Sequence, residues 1–393
     1  MASIAATRVA ASVRSGLRRR SPPAAAIAVG GFAAVRCLVL AAVVISAHRR
    51  GRDAHRLFLR WDAQWYARIA EHGYGFVRTT PDGRRLSDLA FFPMYPWTER
   101  FVARGTGLAA VDAGLVVSAV AGLLAVGGMF AVARDVLGER AAVLATVLWA
   151  LVPVGVVESM AYSESLFTAL AAWSLVALRR ECWLSAAVLA CAAGLTRPEG
   201  IAVVAAVLVV VVDSIRQGTR CRRPRAARLL SDRRFAALAI APAGTLGYLG
   251  WVAIDTNNLA GYFQVTRGWG NDLDGGIRFA RWIGAQFAGS SPVDGTLLVI
   301  ALAVLILLVV QCARQGQPLA LLVYTIMVVM LALTTSGYFG SKPRYLLPAF
   351  PLLFPLAQWL ELRTVATRIS VLLTCCVVAS TSGALWLLGP GPP

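Results

Sequence analysis

Residues Arg60-Trp61-Asp62-Ala63-Gln64-Trp65-Tyr66 place one carboxylate among a guanidinium and three aromatic rings. Ile69-Ala70-Glu71-His72-Gly73-Tyr74 and Ala90-Phe91-Phe92-Pro93-Met94-Tyr95-Pro96 follow on the same polar stretch. A link between two apolar runs has no need of such a set. A carboxylate within hydrogen-bond reach of a hydroxyl can take its proton in a reaction. Asp62 can also pair with Arg60, or cap a helix that begins beside it. Trp61, Trp65, Tyr66 and Tyr74 suit either anchoring at the headgroup level or contact with a ligand. Asp88, just ahead of Ala90, is a second acid able to assist Asp62 or orient its partner, whereas Asp82-Gly83 reads as a turn.

Three further clusters carry chemistry. Glu158 and Tyr162-Ser163-Glu164-Ser165-Leu166-Phe167 end one apolar run and begin the next. Acids near a bilayer boundary are costly unless partnered, which makes Glu158 and Glu164 site candidates. Ser163 or Ser165 can cap the following helix. Arg197-Pro198-Glu199-Gly200 forms either a turn closed by its own ion pair or an arm toward an anion. In Gly340-Ser341-Lys342-Pro343-Arg344-Tyr345 the only lysine of the chain stands two residues before an arginine. The planar fork of Arg344 and the point charge of Lys342 suit a phosphate, and the alternative is anchoring by snorkelling side chains.

The elements that must position these groups are membrane helices. Of the 393 residues, 58% are hydrophobic and 15% charged, and mean hydropathy is +0.66; soluble chains carry about 25% charged residues. The pattern predicts an all-α, polytopic fold of about eleven transmembrane helices, near 24–47, 107–133, 140–158, 163–178, 182–196, 200–214, 235–253, 295–313, 317–335, 345–362 and 368–388. A basic tail over 1–22 precedes one integral domain over 23–389. The net charge of +18 sits mostly between apolar runs, where topology places it, so no nucleic-acid partner is expected. The basic loop 215–234 orients to the cytoplasm. Counting outward puts the long first loop 48–106, the loop 254–294 and every chemistry-bearing turn on the opposite face. Loop 254–294 could cover the site. The seven cysteines form no Cys-x-x-Cys pair and the three histidines show no ligand spacing, so neither metal nor cofactor is expected.

The Arg-Trp-Asp, Ile-Ala-Glu-His-Gly-Tyr and Ala-Phe-Phe-Pro blocks occur in an order that resembles the PIG-V family, the second mannosyltransferases of GPI-anchor assembly and their bacterial relatives. Tyr162–Phe167 and the turns at Arg197 and Lys342–Arg344 resemble it more loosely. The resemblance implies a GT-C-type membrane glycosyltransferase with Asp62 as the catalytic acid-base group. It implies a polyprenyl- or dolichyl-phosphate-mannose donor, and a glycolipid or glycan acceptor on the extracytoplasmic or lumenal face. Around Asp62 it implies substrate contacts for Arg60, Trp61, Gln64, Tyr66, Asp88, Glu158, Tyr162, Glu164, Arg197, Lys342 and Arg344. Many relatives carry His or Glu-His after the Asp, where this chain has Gln64-Trp65, which leaves the acceptor open. The Arg-rich, nearly Lys-free composition points to a bacterial cell membrane. The competing reading is a secondary transporter or lipid flippase, which would carry an internal repeat and a midplane site; no repeat is evident.

Overall fold

The computed structural model describes residues 22–220, 233–288 and 292–391; the expected tail and most of the basic loop 215–234 lie outside these. Helix α1 (Pro22–Arg49) leads through α2 (Ala54–Phe58) to α3 (Asp62–His72). A hairpin follows, which departs from the all-helical expectation: β1 (Val77–Thr79) pairs antiparallel with β2 (Arg85–Ser87), Arg78 opposite Leu86. Its turn is the expected one, with Gly83 at φ +80° and Arg84 Nε 2.6 Å from Asp82 Oδ2. Then come α4 (Met94–Thr106), α5 (Ala110–Leu137), α6 (Glu139–Ala150), α7 (Glu164–Arg179), α8 (Trp183–Gly194), α9 (Gly200–Arg220) and α10 (Arg233–Asp255). The rest is α11 (Gly261–Gly268), α12 (Ile277–Ala288), α13 (Pro292–Arg314), α14 (Leu319–Thr334), α15 (Lys342–Leu346), α16 (Phe354–Glu361) and α17 (Val365–Leu388).

Six of these are long and apolar enough to cross a membrane: Ala24–Arg49, Ala110–Leu137, Gly200–Gln217, Arg233–Asp255, Pro292–Arg314 and Val365–Leu388. The other five expected crossings coincide with shorter helices, α6, α7, α8, α14 and the α15–α16 pair. A 16-residue helix such as α14 is about 24 Å long, short of a hydrocarbon core of about 30 Å. Prolines account for several breaks: Pro153 and Pro198 stand at the ends of α6–α7 and α8–α9, and Pro348, Pro351 and Pro355 interrupt the stretch after α15.

Close packing rests on small residues, as membrane interfaces require. On α5 the buried row Ala113, Val117, Ala121, Ala125 and Met129 recurs every four residues and α5 lies along α7. A Cβ on Gly128 would come 2.9 Å from the Ala172 Cβ. Helix α10 lies on α8 so closely that a Cβ on Gly244 would strike the Cys191 carbonyl.

Candidate active site

Four separate segments converge at Asp62. The chain enters α3 through Trp61, held at φ +56° and ψ −115°. A bulky residue rarely adopts that conformation, which costs on the order of 1–3 kcal/mol and clusters at functional sites. It turns the backbone so that α3 opens on Asp62, whose carboxylate lies in the favourable first turn. The Asp62 amide donates to Tyr162 Oη at 3.4 Å, and the same hydroxyl donates to the Arg60 carbonyl at 3.4 Å.

Asp62 is neither a helix cap nor paired with Arg60. Its partner is Arg344, with Nη2 2.7 Å from Oδ2. Arg344 Nε lies 2.9 Å from Glu164 Oε1, and Arg197 Nη1 approaches that same oxygen at 2.7 Å. Arg197 also grips Glu199 with both prongs of its fork, at 3.2 and 3.1 Å, so the expected local ion pair is present and extended. Arg197 Nη1 donates to Ser163 Oγ at 3.1 Å, and Ser163 Oγ meets Tyr66 Oη at 2.8 Å. Ser163 therefore serves the charged cluster and makes no cap of its own helix. The Tyr162 and Tyr345 rings lie 5.1 and 5.5 Å from the Arg344 guanidinium, favourable cation–π distances.

The cluster holds three carboxylates against two guanidiniums. Burial alone would weaken both arginines' hold on their protons, but the facing acids outweigh it and keep Arg197 and Arg344 cationic. Burial would likewise raise Glu199, yet Arg197 keeps it below the usual carboxylate range. Exposure separates the acids: the Asp62 side chain is 23% exposed, that of Glu164 2%. Asp62 is the member open to a partner.

Several candidates lie elsewhere. Arg60 is drawn to the end of α17, donating to the Leu387 and Gly389 carbonyls at 3.0 and 3.2 Å, with its guanidinium 4.1 Å from the Trp61 ring. Gln64 is exposed on α3, one residue past buried Ala63. Asp88 is buried and accepts from the Gly75 and Phe76 amides at 3.0 and 2.8 Å; it closes the hairpin and, among the described residues, makes no bond to Asp62. Glu158 pairs with Arg36 of α1 at 3.7 Å, inside the bundle. Arg36, which gave no signal in the sequence beyond being a charge in an apolar run, also donates to the Ala150 and Gly155 carbonyls. Lys342 turns away from Arg344. Its Nζ donates to the Ala332 carbonyl at 2.6 Å and to that of Thr335, where a cation complements the end of α14. Its burial pulls its pKa down to about 8, against the raising effect of Asp274. Trp269, in the 254–294 segment, touches the first loop: its Nε1 donates to the Ser87 carbonyl at 3.0 Å, and its ring meets Trp65 edge-on at 4.9 Å. Among the described residues no group of three His, Cys, Asp or Glu could hold a metal ion.

The fold has known counterparts. A family model described as dolichyl-phosphate-mannose-protein mannosyltransferase matches residues 91–231, just over a third of the chain and starting beyond Asp62. No curated protein sequence matches. Among solved structures, ArnT from Cupriavidus metallidurans bound to undecaprenyl phosphate is similar over 87% of this chain and 61% of its own, at 17% identity and a TM-score of 0.52. The apo oligosaccharyltransferase of Archaeoglobus fulgidus covers 91% of this chain and 56% of its own, at 13% identity and a TM-score of 0.49. The chain thus spans about three fifths of the ArnT length. The likeness to ArnT shows a shared fold. The matching family model is not that of the PIG-V family.

Proposed function

We propose that this chain is an integral-membrane glycosyltransferase. It moves mannose from polyprenyl- or dolichyl-phosphate-mannose to a glycolipid or glycan acceptor on the extracytoplasmic face, with inversion. The observation that carries the reading is the partly open Asp62 carboxylate, set at the head of α3 against Arg344. Lipid-phosphate chemistry is supported by the fold shared with ArnT, a protein crystallised with undecaprenyl phosphate, and mannose by the name of the matching family model.

In this reading Asp62 takes the proton of the acceptor hydroxyl as its oxygen attacks the sugar C1. One carboxylate suffices, because the acceptor oxygen is itself the nucleophile and no sugar–enzyme bond forms. Arg344 faces the phosphate that leaves, and Arg197 holds Glu164 and Ser163 in place behind it. Tyr66, Tyr162 and Trp61 wall the site. Lys342 shapes the turn that presents Arg344.

The test is transfer of radiolabelled mannose from polyprenyl-phosphate-mannose in membranes. Asp62→Asn is expected to remove transfer, by about 10²–10⁴-fold, with unchanged expression and thermal unfolding. Near-normal transfer by a folded Asp62→Asn protein would overturn the assignment of the base.

A further inference from the structure

The charge count around Asp62 poses a problem for the site just described. The one guanidinium beside the proposed base is already engaged by two acids, Asp62 at 2.7 Å and Glu164 at 2.9 Å. Adding a phosphate to three carboxylates and two guanidiniums would build up negative charge in a buried place, where it is least tolerated. Two details point to a way out. Arg344 Nη1 is buried with no hydrogen-bond partner among the described residues, so the guanidinium has donor capacity to spare. The Arg344 side chain is 8% exposed and that of Asp62 23%, so of the pair Asp62 is the more open to an incoming group.

We propose that Arg344 is shared in time between Asp62 and the donor phosphate, passing to the phosphate as Asp62 gains the acceptor's proton. This rests on the reading of Asp62 as the base. The acceptor O–H bond breaks and its proton joins Asp62. The acceptor oxygen forms a bond to C1. The C1–O bond to phosphate breaks, and its electron pair stays on the departing polyprenyl phosphate, whose negative charge grows by one. Asp62 loses a negative charge in the same step that the phosphate gains one, and Arg344 follows the charge. The cluster's total charge is conserved, and the interaction strengthens where charge develops, which is the condition for lowering a barrier. Glu164, held by both arginines, keeps the guanidinium in plane while its Nη edge changes partner.

The consequence is unusual for a base variant: removing the acid should strengthen binding of the lipid phosphate. The experiment measures undecaprenyl phosphate binding to the purified full-length protein, with thermal unfolding as the check on folding. Asp62→Asn and Asp62→Ala are both expected to bind about three- to tenfold tighter than the unaltered protein, and Arg344→Gln at least about tenfold more weakly. Glu164→Gln removes an equal charge but leaves the Asp62–Arg344 contact, so it is expected to tighten binding less than Asp62→Asn does. Unchanged or weaker binding by folded Asp62→Asn and Asp62→Ala would overturn the exchange and leave the base assignment standing. Equal tightening by Glu164→Gln would also overturn it, because simple charge removal would then account for the effect. Absence of binding by the unaltered protein would instead remove the lipid-phosphate donor, and the proposed function with it.

Discussion

Two residues apart on a one-turn helix, Lys342 and Arg344 face opposite ways, and that separates a side chain that supports the site from one that belongs to it. Their proximity in sequence suggested a joint phosphate grip; the geometry gives Lys342 to the end of α14 and Arg344 to Asp62. The same lesson applies to Asp62 itself. Its neighbour Arg60 is the natural partner by sequence, but the observed one lies 282 residues away, and no local pattern encodes such a pairing. Residue type was legible: Asp62 stands out by its motif, Glu164 as an acid at a bilayer boundary, Arg197 by its turn and Arg344 beside the lone lysine; the pairing of Arg344 with Asp62 and Glu164 was not. Glu99 shows the same limit. It sits on α4 with both carboxyl oxygens buried and unpartnered among the described residues, pressed against Gly114. Burial, aided by Glu71, pushes its pKa well above the usual 4.5. The folded state then holds a proton that the unfolded state releases, so Glu99 favours folding at low pH and this contribution fades as pH rises past about 4.5. Glu99→Gln should flatten that decline between pH 5 and 8 in thermal unfolding, with little change at pH 5; an unchanged slope would show that Glu99 is ionised in the fold.

At the level of elements, the broken stretch between α6 and α7 matters most, because it delivers Tyr162, Ser163 and Glu164. The expected span 140–158 runs through Pro153, whereas the helix stops at Ala150, and what holds the break in shape gave no signal either. Arg36, in the middle of α1, gathers the Ala150 and Gly155 carbonyls and the Glu158 carboxylate. It satisfies backbone groups left over where a membrane helix stops early. Arg36→Ala should cost about 3–5 kcal/mol, because Glu158 is left buried and unpaired. Pairing Arg36→Met with Glu158→Leu should recover part of that loss, the carbonyls remaining unserved. Unfolding of the two variants in detergent checks both expectations, and a double variant no better than Arg36→Ala would assign the whole effect to the carbonyls.

For the molecule as a whole, hydropathy located the helices well and their lengths poorly. Six of the eleven expected crossings are full-length helices and five are shorter, since average hydropathy runs through a proline or a one-residue turn without a mark. The sidedness proposed for the site is a property at this scale, and labelling can check it. In a cysteine-free background, Arg78→Cys in the hairpin should react with a membrane-impermeant maleimide on intact cells. Arg363→Cys, in the turn before α17, should react only after lysis. The reverse pattern would place the site on the cytoplasmic side.

The wide spacing of Asp62 and Arg344 also bears on how the protein is made. At about 5–20 residues per second, a ribosome needs roughly 15–55 seconds to add the 282 positions that separate acid from counter-ion. Glu164 waits for Arg197 over a far shorter stretch. The nascent chain therefore carries Asp62 without its partner across the 282 intervening positions, and the proposed centre comes into being only once Arg344 has been added. Termination just short of Arg344 leaves a membrane protein with most of its helices and an incomplete centre.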